Sequence, residues 1–513
     1  MGDYLGATIC VTEVYLLTML TLFLQIENHK VFASELAHKI SDYYDGSTTG
    51  SAFMNDIIHN EGTFSLLRFV WVGIFTSIWC SCVGHPPVFV RNTVAAKGQT
   101  KDIQVSLINN NKEMNGENKS IAPTSGLQAT LSELSHTHFK TRYNATRKYL
   151  DSLAKPVGSL GTVEDWAIRL AVLQQSAKPV AEKVSCLIFV GDHGVANDKK
   201  EGGANCSAYP QAVTQKVLEA LQHNIAGASV LTRQNNVALR IVDVGVAQLD
   251  ADNVSSNTLI ISKHKIRGGT KNFCNGPAMS NVEVNGCIRA GREETKRFLK
   301  ETQANVLVFG EVGIGNTTAS SALIAALTGE SVDAVCGSGA TIAHVGDDKI
   351  ISNKIKIIKS ALHYHQKSKK NLKNPIVALE AVGGAEIAAI VGGILEASEQ
   401  NIPVLVDGFI VTTACMIAVL MSPDVCRVLC FATRSTEKGQ RVAIQTIQKN
   451  SKQNDFPELS EPALDMNLRM GEGTGALMAV PVIRSAAAVI SELATLETVM
   501  NLESACQEAE IEC

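Results

Sequence analysis

From about residue 127 onward, apolar and polar positions follow a repeating order. Short apolar or β-branched runs end in glycine-rich turns, which repeatedly lead into Ala-rich stretches of helical character. Strands that alternate with helices in this way predict a mostly parallel, Rossmann-like α/β sheet with helices on both faces. The predicted strands are residues 184–190, 239–244, 306–309, 404–406 and 425–431.

A long apolar stretch at residues 476–496 follows the last predicted strand. We expect it to be helical, most securely after Pro481, because proline suits the first turn of a helix. We also expect this helix to pack on other helices outside the sheet.

The first hundred residues show a different pattern. They hold 13 of the 26 Phe, Tyr and Trp residues and two apolar segments without Asp, Glu, Lys or Arg, residues 14–26 and 69–90. No Lys or Arg precedes the first segment, which makes it a poor signal peptide, and the second is near the shortest length that spans a bilayer. The alternatives are a membrane-associated region, a pair of buried helices, and a region with no fixed fold.

Residues 92–126 are rich in Asn, Lys and Ser, which predicts a flexible linker. The sequence therefore predicts three regions along the chain. They are an aromatic-rich apolar region at residues 1–91, a linker at 92–127 and a globular domain at 128–513.

Composition narrows the classes of function. The chain has 46 Lys and Arg against 50 Asp and Glu, a net charge of −4, which argues against a nucleic-acid binder. The 13 Cys form no C-x-x-C pair, which argues against a disulfide scaffold and a structural zinc site. We expect neither a metal nor a cofactor.

The glycine-rich run at residues 310–318 is the sharpest candidate for binding an anion. Gly313 and Gly315 allow backbone N–H groups to approach a phosphate, and Asn316 or Thr317 can cap the helix that follows. The run matches neither a Walker loop nor a dinucleotide fingerprint. The alternative is a tight turn that only joins a strand to a helix.

Residues 471–475 place one carboxylate, Glu472, among small residues. Partial burial would raise the pKa of this carboxyl group towards the range of a general base. The alternative is a helix-start turn in which Glu472 only favours the helix dipole. A third candidate is the adjacent pair Asp192 and His193. Such a pair is more typical of a structural hydrogen bond than of a catalytic dyad.

Together these runs resemble the nicotinate-nucleotide–dimethylbenzimidazole phosphoribosyltransferase family. The resemblance extends over about residues 141–497 and leaves the first 130 residues outside it. Eight matching runs occur in the family's order, at residues 155–161, 191–196, 207–211, 267–273, 310–318, 406–409, 434–435 and 469–475.

The resemblance implies a pentosyltransferase of the cobalamin lower-ligand pathway. It implies transfer of the phosphoribosyl group of nicotinate mononucleotide to dimethylbenzimidazole, which gives α-ribazole phosphate and nicotinate. It also implies a parallel α/β domain, a smaller helical domain built from both ends of the enzyme region, and a homodimer acting on small molecules. A cytoplasmic location is expected, or a membrane-associated one through residues 14–26 and 69–90.

Two other functions remain as alternatives. One is a membrane-tethered nucleotide-binding protein that has lost turnover, although the retained Glu472 and glycine loops weigh against it. The other is a related transferase that acts on a different aromatic base.

The resemblance also implies a role for individual residues. Glu472 would be the catalytic base, and Glu311 would lie beside the ribose or the aromatic substrate. The nucleotide phosphate would be held by Gly313, Gly315, Asn316, Thr317, Lys354 and Ser435, and the aromatic base would be lined by Tyr209, Val312 and Met470.

The chain departs from the family's pattern in three places. Residues 340–345 are an insertion that makes the position of Lys354 less secure, and the loop at residues 435–439 is a variant one. The family places a glutamine near the aromatic substrate, and Gln211 and Gln215 are both candidates for it.

Overall fold

A computed structural model describes residues 124–197, 206–247, 260–261, 264–265, 268–339 and 347–501. All of them belong to one unit that spans residues 116–513. The apolar segments at residues 14–26 and 69–90 lie outside the described residues, as does most of the expected linker. The three-region division and the membrane association therefore stay predictions.

Six parallel strands form the central sheet of the described unit. Their order is β3-β2-β1-β4-β5-β6, so the chain moves outward from β1 in one direction and later from β4 in the other. Ligands of such sheets bind at the carboxyl ends of the strands where this reversal occurs. The strands are β1 (Val184–Gly191), β2 (Val237–Gly245), β3 (Ile260–Ile261), β4 (Val306–Val312), β5 (Val404–Val406) and β6 (Leu429–Phe431).

The predicted α/β fold class is confirmed. Strands β1 and β4 are buried along their whole length, as expected for the centre of a sheet covered by helices. Helices α1–α3 are Thr124–Glu133, Phe139–Asp151 and Thr162–Gln174. Helices α4–α9 are Gly194–Asn197, Ala212–Gln222, Gly227–Gln234, Asn281–Thr302, Asn316–Thr328 and Val332–Val335. Helices α10–α17 are Asp347–Lys367, Pro375–Val382, Ala385–Glu399, Phe409–Met421, Lys438–Gln453, Thr474–Met478, Val480–Glu492 and Leu496–Met500.

Helices from both ends of the described unit pack together. Helix α3 lies against α16, and an antiparallel bridge joins Leu153 to Thr495. The N–H of Ala154 donates to the carbonyl of Ala494 at 2.8 Å beside this bridge. These contacts agree with the expected helical part built from both ends of the enzyme region.

Arg169 ties this helical part to the edge of the sheet. Its side chain is fully buried, and its Nε lies 3.0 Å from the carboxylate of Asp165 on the same helix. Its remaining N–H groups donate to the carbonyls of Cys426 and Glu458 at 3.0 Å each. Because both partners lie late in the sequence, Arg169 fixes α3 to a distant part of the chain.

Three local predictions are wrong in their boundaries. The run at residues 425–431 is split, because Pro423–Arg427 forms a 3-10 helix and the strand is only Leu429–Phe431. Strand β4 continues to Val312, beyond the predicted end at Phe309. The apolar stretch at 476–496 is broken at Ala479 into α15 and α16, although the helix expected after Pro481 is present.

A second, two-stranded parallel sheet was not expected from the pattern. It pairs β7 (Thr433–Ser435) with β8 (Leu464–Leu468). Its residues are half-buried or exposed, apart from Thr433. Without a continuous apolar run, the sequence carries little sign of these strands. The small sheet carries Ser435 towards the carboxyl end of β5.

Candidate functional site

A cleft of about 370 Å³ opens at the carboxyl ends of β4 and β5. Its walls come from the loop after β4, the loop after β5, strand β7 and the glycine-rich loop before α15. Nine of the residues expected at the site line this cleft, namely Tyr209, Glu311, Val312, Gly313, Asn316, Thr317, Ser435, Met470 and Glu472. Gly315 and Lys354 do not line it.

The expected phosphate loop divides into three pieces. Gly310, Glu311 and Val312 belong to β4, residues 313–315 form the turn, and α8 starts at Asn316. A side chain at Gly313 would clash with the carbonyl of Gly191 on β1, so the turn lies tightly against the neighbouring strand. The N-terminus of α8 thereby points its partial positive charge into the cleft.

The expectation that Asn316 or Thr317 caps α8 is wrong. The N-cap is Gly315, whose φ of 104° lies in the left-handed region that glycine adopts without strain. The Asn316 amide instead donates to the carboxylate of Glu311. A buried carboxylate competes for this donor because it requires hydrogen bonds to remain inside the protein.

Lys354 reaches the loop from α10. Its side chain is 2% exposed, and its Nζ donates to the Thr317 hydroxyl at 2.9 Å and to the Gly337 carbonyl at 3.4 Å. Thr317 lines the cleft, so the lysine lies one hydrogen bond behind its wall. This supports the placement of Lys354 near the nucleotide loop despite the insertion at residues 340–345.

Glu472 occupies a constrained position in the loop between β8 and α15. Its φ is +63°, a value that a residue other than glycine rarely adopts. The side chain is 8% exposed, and its Oε2 accepts a hydrogen bond of 3.0 Å from the N–H of Ala228. Burial raises the pKa of Glu472, and the Ala228 hydrogen bond partly opposes this effect.

This geometry has features of both interpretations of Glu472, the general base and the helix-start residue. The carboxylate lies in the cleft with a raised pKa, as a general base requires. It also lies at a helix start, but that helix is α6 rather than α15, which directly follows Glu472 in the sequence.

Two further carboxylates line the cleft. Burial, together with the negative charges of Asp407, Glu386 and Glu472, raises the pKa of Glu311 well above its usual value. Burial also raises the pKa of Asp407 to about 6, while its Oδ1 accepts a hydrogen bond of 2.9 Å from the Ala476 N–H. Glu311, Asp407 and Glu472 therefore hold a proton at higher pH than exposed carboxyl groups do.

Asp407 was absent from the expected site residues. It belongs to the run at residues 406–409, and it follows β5 directly and precedes a glycine. An acidic residue at the carboxyl end of a buried strand could have marked it. Glu437 was also missed; it lines the cleft and accepts a hydrogen bond of 2.7 Å from the Gly339 N–H.

The expected aromatic wall is partly open to solvent. Tyr209 is 44% and Met470 48% exposed at the mouth of the cleft, whereas Val312 is buried at the end of β4. Neither candidate glutamine lines the cleft. Gln211 donates to the carbonyl of His193 at 3.3 Å, and Gln215 donates to Glu219 at 3.2 Å.

Asp192 and His193 do not form a dyad with each other. His193 Nε2 lies 2.7 Å from a carboxylate oxygen of Glu386, and both side chains are fully buried. Asp192 instead accepts a hydrogen bond of 2.8 Å from the N–H of Ala247. Neither residue lines the cleft, which agrees with a structural role.

Two cysteines in glycine-rich segments, Cys206 and Cys336, are buried. Burial raises the pKa of Cys206, and raises that of Cys336 to about 11, so neither thiol is poised to ionise.

Among the described residues, no three His, Cys, Asp or Glu side chains are grouped as ligands for a metal ion. In the same part of the chain, no helix combines the length and apolarity needed to cross a membrane.

Comparison with known proteins finds a matching family model and similar sequences. A family model described as phosphoribosyltransferase matches residues 138–499. The nicotinate-nucleotide–dimethylbenzimidazole phosphoribosyltransferase of Pseudomonas putida KT2440 is 37% identical over 346 residues, which cover 67% of this chain and 89% of the relative. The enzyme of the same name from Geotalea uraniireducens is 38% identical and covers 68% and 90%.

A solved structure agrees with these sequences. The crystal structure of CobT from Thermus thermophilus superposes with a TM-score of 0.60 at 32% sequence identity. The match covers 70% of this chain and 98% of that protein. The matched part of this chain therefore corresponds to almost the whole solved protein.

Proposed function

Because this chain belongs to the phosphoribosyltransferase family matched above, we propose that it transfers the phosphoribosyl group of nicotinate mononucleotide to dimethylbenzimidazole. The products are α-ribazole phosphate and nicotinate, the chemistry of cobalamin lower-ligand synthesis. The observation that carries this proposal is the cleft in which Glu472 and the start of α8 are both exposed to one ligand-sized space.

The nucleotide would bind with its phosphate at the start of α8. The helix dipole favours an anion there. Lys354 adds positive charge behind the wall, and its hydrogen bond to the Thr317 oxygen leaves the hydroxyl hydrogen free to donate to the phosphate. Ser435 lines the same cleft on β7. These groups hold the donor while the base slot near Met470 remains free for the acceptor.

The reaction breaks one bond to the anomeric carbon and forms another. The donor base starts as a pyridinium, so its ring nitrogen takes the bonding electron pair and leaves neutral, as part of nicotinate. An imidazole nitrogen of the acceptor attacks the same carbon, and the positive charge that it gains is removed when its second nitrogen loses a proton. Glu472 accepts that proton, a contribution of roughly 10²–10⁴-fold for a placed general base.

The acidic lining of the cleft also suits this chemistry. The transferred ribosyl carbon and the attacking ring carry positive charge in the transition state. The carboxylates of Glu311 and Asp407, which are buried in the lining of the cleft, would stabilise that charge when ionised. Positioning of the two substrates would supply much of the remaining acceleration.

Release of nicotinate tests the proposal. Purified full-length protein is mixed with nicotinate mononucleotide and dimethylbenzimidazole, and nicotinate is measured over a range of pH, with the acceptor omitted as the control. We expect acceptor-dependent release. No release above the control at any pH would overturn the enzymatic function, and nucleotide binding without release would favour the binding protein that has lost turnover.

A panel of acceptors separates the proposed reaction from a related transferase. Dimethylbenzimidazole, adenine and a phenol are compared with the same donor, because each has a different ring shape and nucleophilic atom. A higher kcat/KM for dimethylbenzimidazole supports the proposed acceptor, and a preference for another ring would replace it.

We further propose a homodimer in the cytoplasm, which the family resemblance implies. Light scattering coupled to size-exclusion chromatography measures the assembly, and a molar mass of one chain would contradict it. Cell fractionation measures the location, and recovery in the membrane fraction would favour attachment through the first hundred residues.

A further inference from the structure

The loop that carries Glu472 lies directly on the first turn of α6. The Ala228 N–H donates to Glu472 Oε2 at 3.0 Å, and the two residues are 244 positions apart in the sequence. Ala228 is fully buried and Glu472 is 8% exposed, so the contact lies at the inner wall of the cleft. Within the described residues, the structure shows no second hydrogen bond to the Glu472 carboxylate.

The neighbouring residue, Gly227, makes room for the loop. A Cβ atom at this position would lie 2.5 Å from Met470 Cε and 3.7 Å from Glu472 Oε2. The absence of a side chain therefore lets the end of Met470 lie against the helix, with the Glu472 carboxylate beside it. One turn of helix thus contacts both the expected base and one expected wall of the aromatic slot.

The Ala228 N–H is available because of its place in the helix. It is the second residue of α6, and the first N–H groups of a helix have no partner inside it. A carboxylate at this position also interacts favourably with the helix dipole. Both effects favour the ionised form of Glu472, which is the form that accepts a proton.

We propose that the first turn of α6 is the positioning element for the reaction: the Ala228 N–H holds Glu472 towards the acceptor, and the bare α-carbon of Gly227 admits the end of Met470 beside it. This inference rests on the proposed function. It assigns a role to residues outside the family's matching runs, and it predicts a change in the pH dependence of turnover rather than only a loss of activity.

Other ionisable groups surround Glu472 and must be considered. Glu311 on β4, Asp407 after β5, Glu437 and Arg469 line the same cleft, and the Cys186 thiol on β1 interacts with Glu472 electrostatically. Lys354 lies behind the wall. None of these groups is altered by a change at Ala228, so a shifted pH profile would report on the missing N–H.

The variant Ala228→Pro tests the inference. Proline has no N–H, and at the second position of a helix it removes no hydrogen bond of the helix itself. We expect the acid limb of the kcat profile to move to higher pH, because the neutral form of Glu472 is then favoured. At the acid end kcat should fall roughly tenfold, the size expected for one hydrogen bond to a charged group, with nucleotide affinity unchanged.

Two controls separate this effect from general damage. Ala228→Gly keeps the N–H and should keep the acid limb in place. Val282→Pro puts proline at the same helix position in α7, where the side chain is 81% exposed, and should leave the whole profile unchanged. Melting temperatures and nucleotide binding are measured for all three proteins to establish that each is folded.

A second variant keeps the test decisive if Ala228→Pro does not fold. Gly227→Ala suits a helix and places a methyl group 3.7 Å from Glu472 Oε2, which removes water from the carboxylate and should move the acid limb in the same direction. An unshifted acid limb in the folded variants, with or without a uniform loss of kcat, would overturn the inference. Absence of nicotinate release by the wild-type protein would instead overturn the proposed function.

Discussion

The backbone N–H of Glu472 donates a hydrogen bond of 3.1 Å to the carbonyl oxygen of Glu311. This contact fixes the glycine-rich loop to the end of β4. A side chain at Gly471 would clash with the Glu311 carboxylate, so only glycine allows this approach. The proposed base and the neighbouring buried acid therefore form one rigid arrangement, which makes single substitutions here informative.

Replacing the proposed base should separate chemistry from binding. Glu472→Gln keeps the size of the side chain but removes the proton acceptor. We expect kcat to fall by about 10²–10⁴-fold while the dissociation constant of nicotinate mononucleotide, measured by calorimetry, changes little. A variant with near-normal kcat would show that another group accepts the proton.

The turn at Gly313 should tolerate no side chain. Gly313→Asp places a negative charge at the expected phosphate, and the structure adds that any Cβ there meets the Gly191 carbonyl. We therefore expect both Gly313→Asp and Gly313→Ala to weaken nucleotide binding, the first by more. Titration calorimetry at two salt concentrations distinguishes charge from shape, because only the charge effect is screened. Unchanged affinity in both variants would contradict the phosphate-loop assignment.

Lys354 should contribute to nucleotide affinity from behind the wall of the cleft. Lys354→Met keeps most of the buried volume but removes the charge and the hydrogen bond to Thr317. We expect affinity for nicotinate mononucleotide to fall about tenfold, the size of one charge-assisted hydrogen bond. Lys359→Met, on the same helix but 55% exposed and paired with Asp333, is the matched control and should bind normally. Equal affinities in the two variants would remove Lys354 from the site.

Asp407 should make stability depend on pH. Its pKa is raised by burial to about 6, so between pH 4 and pH 6 the folded protein holds a proton that the unfolded chain has released. The stability that this proton provides is complete at low pH and is lost as pH rises through about 6, by at most about 3 kcal/mol. Urea unfolding of wild type and Asp407→Asn across this range should show a larger loss in wild type, because Glu311 and Glu472 also have raised pKa values in both proteins. Parallel curves would mean that Asp407 titrates normally.

Arg169 should be essential for stability. Arg169→Met leaves the buried carboxylate of Asp165 without its cation and three carbonyls without their donor. We expect the free energy of unfolding to fall by about 3–5 kcal/mol. Arg289→Met, 75% exposed and 4.0 Å from Glu293, should change it by less than about 1 kcal/mol. A similar small change in both variants would contradict the role given to Arg169.

The sequence predicted the sheet more completely than the site. Runs such as residues 184–190 and 404–406 are continuous and apolar because both faces of each strand are buried, so their bounds match the structure closely. The strand that ends at Val312 was predicted too short, because Gly310 and Glu311 are typical of turns. This position of the strand needs a glycine because a Cβ at Gly310 would be 2.5 Å from the backbone of Glu472, a constraint that no local pattern contains.

Contacts between distant residues could not be predicted from spacing. The family resemblance predicted Glu472 as a site residue. The Ala228 N–H that donates to it lies in a segment without any catalytic motif. In the same way, the partner of His193 is Glu386 rather than the adjacent Asp192. Patterns along the chain report burial and local turns, whereas these pairs depend on which strands become neighbours.

The packing of α3 on α16, with the bridge from Leu153 to Thr495, bears on how the protein is made. During translation the strands of the sheet and the loop at Gly313 leave the ribosome before Glu472, α15 and α16 have been synthesised. A nascent chain at that stage has an anion loop but lacks the proposed base, and the face of α3 that packs on α16 has no cover. Completion of the site therefore waits for a segment late in the sequence, and chaperones that bind exposed apolar surface would find this face of α3 accessible until then.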